Sequence, residues 1–130
     1  MPSDKELHDA TEEFKKKGND AFQKGQLDDA IQAYSQGLVQ VDRIVVQPPL
    51  LKTTLLSNRA ACYLKQGKLE DCHEDCSTCL RLLDDGQNDA KLRSKVLYRR
   101  AKALFLKANM PHKKQEDDLH SAAKDLLTLL

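Results

Sequence analysis

The chain has no apolar run near the roughly 18 residues that a membrane-spanning helix needs, which argues against a membrane helix in this sequence. Its start, MPSDKELHD, is too polar to be expected as a signal peptide. Net charge is nearly absent, at +1, so no global field gathers nucleic acid. No combination of nucleophile, base and orienter stands out, and catalysis is not expected. Cytoplasmic residence, with the nucleus as the alternative, is the default that remains. What is present is 32% charged and 40% hydrophobic residues over 130 positions. That balance suits amphipathic helices around one core, and the length suits a single all-α domain.

Three segments align with one another: FKKKGNDAFQKGQLDDAIQAYSQGL from Phe14, LSNRAACYLKQGKLEDCHEDCSTCL from Leu56, and LYRRAKALFLK from Leu97 followed by LHSAAKDLLTLL. Similarity at a period of a few tens of residues marks a solenoid. A large slot holds Phe14, Leu56 and Leu97, and a small slot four residues on holds Gly18, Ala60 and Ala101. The small slot lets two antiparallel helices approach closely. A second helix supplies Ala30, Cys72 and Ala122, then Tyr34, Cys76 and Leu126, then Gly37, Cys79 and Leu129. Lys24-Gly25-Gln26-Leu27 and Gln66-Gly67-Lys68-Leu69 are matching breaks, where glycine is expected in the left-handed conformation that ends a helix.

This pattern resembles the tetratricopeptide repeat (TPR) family over residues 11–130, whose unit is a helix-turn-helix of roughly 34 residues. The resemblance implies a superhelix of three such repeats, at about 11–44, 53–86 and 94–130, with residues 1–10 extending the first helix. The chain departs from the family pattern in lacking tryptophan and in placing Asp42 and Asp84 where a closing proline is usual. The repeats are also about eight residues wider than usual. Val45–Lys52 and Gln87–Arg93 are extra, and Asn109–Asp118 lengthens the third turn. Pro48-Pro49 and Pro111 put breaks in two of these insertions, which are either loops or added helical turns.

Cys72, Cys76 and Cys79 recur at i, i+4 and i+7, with His73 beside them and Cys62 nearby, and suggest a metal site. Yet the three occupy the small buried slots of the repeat, where free cysteine packs well. Ligands crowded on one helix also fit poorly with a closed tetrahedral zinc site. Packing is the expected role; no metal, cofactor or disulfide is expected.

The charged residues carry a stronger signal. Lys15 and Asn19 lie one turn apart on the first helix of repeat one, Lys95 and Arg99 repeat that spacing in repeat three, and Asn58 lies on the equivalent helix between them. Most basic residues of a soluble chain are merely solvated. Asparagine, however, is a poor interior helix residue, and its use on two such helices requires a reason. Lys15…Gly18-Asn19, Ser57-Asn58-Arg59 and Lys95…Arg99 resemble the two-carboxylate clamp of TPR co-chaperones. KKKGNDAF, LLSNRAACY and VLYRRAKAL are similar to co-chaperones of the organising-protein and immunophilin type and to the N-terminal TPR of myosin-directed chaperones.

The resemblance implies that the partner is the extreme C-terminus, Glu-Glu-Val-Asp, of a heat-shock chaperone of the ninety- or seventy-kilodalton class. Lys15, Asn19 and Asn58 would then hold the terminal main-chain carboxylate. Lys95 would share the last Asp side chain, and Arg99 an upstream carbonyl or carboxylate. Phe22 and Lys102 would extend the groove. The alternative is a general TPR scaffold that takes an internal segment of another partner. The chain stops at Leu129-Leu130 with no polar capping helix. Terminal repeats ordinarily need a solvent-compatible face, so Leu126, Leu127, Leu129 and Leu130 suggest a fragment of a larger protein and self-association through that end.

Overall fold

The computed structural model describes residues 1–86 and 88–110. Over these it is all-α, a TPR-like superhelix of two complete helical hairpins and the first helix of a third. The helices are α1 (Asp4–Gln23), α2 (Leu27–Asp42), α3 (Leu51–Gln66), α4 (Leu69–Asp84) and α5 (Ala90–Ala108). Each packs against the next in the chain, while α1 also touches α3 and α3 touches α5. That second set of contacts puts the first helices of successive pairs side by side on one face.

Local sequence explains where the helices start and stop. The Ser3 hydroxyl accepts from the Glu6 amide at 3.1 Å, and the Glu6 carboxylate reaches back to the Ser3 amide, a capping box at the start of α1. Asp89 caps α5 by accepting from the Leu92 amide at 2.9 Å. Gly25 and Gly67 both take positive φ, 75° and 77°, as the aligned breaks predict. In the first turn the Gln26 amide donates to Ala21 and that of Gly25 to Phe22, at 2.9 and 3.0 Å. In the second, Lys68 donates to Tyr63 and Gly67 to Leu64, at 2.9 and 3.1 Å. The same two bonds close both turns, so the hairpins share one exit geometry.

The insertions resolve differently from each other. Residues 43–50 form an irregular connection, and Leu51 and Lys52 belong to α3. The connection is tied down: the Asp4 carboxylate accepts from the amides of Val45 and Val46, both at 3.0 Å. The Gln47 side chain donates to the carbonyls of Val41 and Ile44 at 2.8 and 2.6 Å. In the second insertion Ala90–Arg93 instead add a turn to α5. The third insertion beyond Met110, Pro111, the expected second helix of repeat three and its four leucines lie outside the described residues.

The slot pattern matches the packing in the first two repeats. Gly18, Tyr34, Gly37, Leu56, Ala60, Cys72, Cys76 and Cys79 are all buried. The three slot cysteines and Cys62 are free thiols without solvent contact, as a packing role requires. Gly18 is a close-approach position: a Cβ built there would collide with the Tyr34 ring, 2.6 Å from Cδ1. Leu97 differs from its counterparts Phe14 and Leu56, being 42% exposed. Between α2, α3 and α4, Arg59 makes a two-pronged pair with Asp75, both bonds 2.7 Å, and donates to the Ser35 hydroxyl at 3.0 Å. Burial pushes the Asp75 carboxyl up, and the bond from Arg59 pulls it back.

Candidate functional site

The face shared by α1, α3 and α5 brings together four of the five residues singled out by the sequence, Asn19, Asn58, Lys95 and Arg99. Asn19 of α1 and Asn58 of α3 meet: Asn58 Nδ2 donates to Asn19 Oδ1 at 3.3 Å. The Tyr34 hydroxyl donates to the same oxygen at 2.6 Å. Arg99 of α5 reaches in beneath them, where its Nη1 donates to the Ser57 carbonyl at 3.0 Å and to the Ser57 hydroxyl at 2.6 Å. Asn19, Asn58 and Arg99 line a hollow of about 200 Å³ with Phe22, Gln23, Tyr34 and Ala61.

A second hollow of about 490 Å³ adjoins it, sharing Phe22, Ala61 and Arg99. Lys95, one turn before Arg99, opens onto this larger one together with Lys65, Lys102, Tyr98, Leu64 and Leu106. Four of the five residues, and both residues expected to extend the groove, therefore line one continuous depression. Lys15 stands apart from this lining. Its ammonium lies 3.2 Å from the Glu12 carboxylate one turn earlier on α1.

Electrostatics make the depression cationic. Lys52, Arg59, Arg93 and Lys107 are each paired with a carboxylate elsewhere on the protein. Among the described residues no carboxylate pairs with Lys65, Lys95, Arg99 or Lys102. Burial of the Arg99 guanidinium lowers its pKa from the ordinary arginine value. From that high starting value it still retains its charge at neutral pH. Of the neighbouring thiols, Cys62 and Cys79 do not cancel it, because burial pushes them up to about 11 and about 12. An unpaired, partly buried cation is costly unless an anion arrives, so the geometry favours an anionic ligand.

Three contributors escaped the sequence reading. Ser57 holds Arg99, and Lys65 lies over the Phe22 ring at 5.5 Å from its centroid. Lys65 stands two turns from Asn58, on the face the asparagine already marked. Tyr34 reads as a core residue, yet a buried tyrosine hydroxyl usually has a partner, and that was the available signal.

Comparison with known proteins gives partial matches. No family model and no solved structure matches the chain. Among curated proteins, the human mitochondrial import receptor subunit TOM34 is 37% identical over 75 residues, 58% of this chain and 24% of that protein. Sperm-associated antigen 1A of Danio rerio is 40% identical over 69 residues, 53% of this chain and 16% of that protein. The Hsp70/Hsp90 co-chaperone CNS1 of Saccharomyces cerevisiae is 34% identical over 100 residues, 77% of this chain and 23% of that protein. The chain thus spans about a quarter or less of the length of these relatives.

Proposed function

We propose that the depression is a two-carboxylate clamp for the C-terminal Glu-Glu-Val-Asp tail of a heat-shock chaperone of the Hsp90 or Hsp70 class, and that the chain acts as a co-chaperone or adaptor. The observation that carries this reading is the convergence of Asn19, Asn58, Lys95 and Arg99 on two adjoining hollows that share Arg99, without carboxylate partners among the described residues. Similarity to a protein named as an Hsp70/Hsp90 co-chaperone supports the same class of partner. In this reading Asn19 and Asn58 donate to the terminal carboxylate, and Lys15 joins them by exchanging Glu12 for the ligand. Lys95 takes the last Asp side chain, and Arg99 keeps its bonds to Ser57 while offering its remaining donors to an upstream oxygen.

Hydrogen bonds to charged groups contribute roughly 1.5–3 kcal/mol each. Ordering a flexible tail offsets part of the sum. A net near −8 kcal/mol, or about micromolar affinity, is expected. Calorimetry with the tail peptide as free acid and as C-terminal amide tests the reading. Amidation should weaken binding severely, because an internal segment or blocked end cannot supply the two adjacent anions. Equal binding of both forms would instead favour a scaffold that takes internal segments. Lys95→Glu should abolish binding with helix content by circular dichroism intact, and a collapsed spectrum would assign Lys95 to the fold.

A further inference from the structure

The tyrosine beneath α1 has a role that packing alone does not explain. A phenylalanine would fill the same space, and the buried hydroxyl adds nothing apolar to the core. The ring passes under α1 only because Gly18 has no side chain there. Passing under, it brings the hydroxyl to Asn19 Oδ1 at 2.6 Å, where Asn58 Nδ2 also donates at 3.3 Å. A carboxamide oxygen has two lone pairs, so both acceptor positions of Asn19 are filled. Among the described residues, both hydrogens on Asn19 Nδ2 remain uncommitted, at the mouth of the hollow that also holds Arg99.

We infer that Tyr34 is a positioning residue: its hydroxyl holds the Asn19 carboxamide with oxygen inward and nitrogen outward, so that Asn19 offers the groove an N–H donor rather than an acceptor and favours an anionic chain end over a neutral one. The inference rests on the clamp reading and adds the origin of its selectivity. A carboxamide free to turn presents either a donor or an acceptor. An outward oxygen would repel a carboxylate and would accept from the –NH₂ of a blocked terminus. Fixing the amide before the ligand arrives removes that ambiguity and the ordering cost at binding. The Tyr34 hydroxyl can serve as a permanent donor, because burial pushes its pKa up to about 12.

Tyr34→Phe in the full chain tests the inference by calorimetry with free-acid and amidated pentapeptides ending in Glu-Glu-Val-Asp. The variant should melt cooperatively and bind the free acid about three- to tenfold more weakly, the loss expected for one hydrogen bond's worth of orientation. Binding of the amidated peptide should not weaken, so the ratio between the two peptides falls by the same factor. A purely structural role would weaken both peptides alike and leave the ratio unchanged, which would overturn the inference. Should the wild-type chain itself fail to distinguish the peptides, the clamp reading fails, and this one with it. If the variant folds poorly, the side-chain amide signals of Asn19 in the ¹⁵N-labelled wild-type chain decide the matter. They must move downfield on adding the free-acid peptide, and signals that stay fixed while calorimetry shows binding would refute the role.

Discussion

Gly18→Ala sets two physical effects against each other with opposite signs. Gly18 lies inside α1, where replacing glycine by alanine ordinarily stabilises by about 1 kcal/mol through backbone entropy. The added methyl, however, would overlap the Tyr34 ring, 2.6 Å from Cδ1 and 2.8 Å from Cζ. That ring is 2% exposed and pinned by its hydroxyl, so it has little room to retreat. Overpacking of this kind costs about 1–3 kcal/mol and occasionally more. The net expectation is a loss of about 1–2 kcal/mol, or several degrees in melting temperature. Urea unfolding followed by circular dichroism measures it. Gly37→Ala is the internal control: its nearest neighbour is the end of a flexible side chain, Leu55 Cδ2, at 3.2 Å, so near-neutral stability is expected. A Gly18→Ala variant more stable than wild type by the propensity increment would refute the close-packing argument.

Asp75→Ala should destabilise by at least about 2 kcal/mol in the same assay, because it strands the Arg59 guanidinium between three helices. His73 lies among Leu69, Ala103 and Leu104, and burial, with Arg100 and Lys107 nearby, lowers its pKa. The unfolded chain therefore takes up the proton first, so its stability contribution is complete above about pH 6.5 and declines as pH falls through that value. His73→Gln should flatten the stability profile below neutrality, and an unchanged slope would contradict the assignment. The Asp4 carboxyl is held below its ordinary value by the amides of Val45 and Val46. Asp4→Ala should speed hydrogen exchange at those two amides while leaving the Gly67 turn unaffected.

Much of the architecture was legible because it is local or repeated. The glycines at 25 and 67 needed only one residue type in one conformation, and both adopt it. The small slots were recognisable from three aligned copies, and in the first two repeats they are buried. The insertions were less legible. Whether residues 45–50 hang free or are tied depends on Asp4, some forty positions away, and no local pattern encodes that bond. The added turn at Ala90 had a local cause, since Asp89 is an N-cap that the sequence could have revealed.

For the candidate site the division is similar. Helical periodicity alone sets Lys15 with Asn19 and Lys95 with Arg99, because residues four apart share a face whatever the surroundings. Which of these groups meet across helices is a property of the packing. The fold joins Asn19 to Asn58 and seats Arg99 on Ser57, while Lys15 pairs with Glu12 on its own helix. It also turns the core tyrosine into a partner of the site. The residue types and their spacing are written along the chain; their convergence follows from how closely α1, α2, α3 and α5 pack, which Gly18 permits and only three dimensions define.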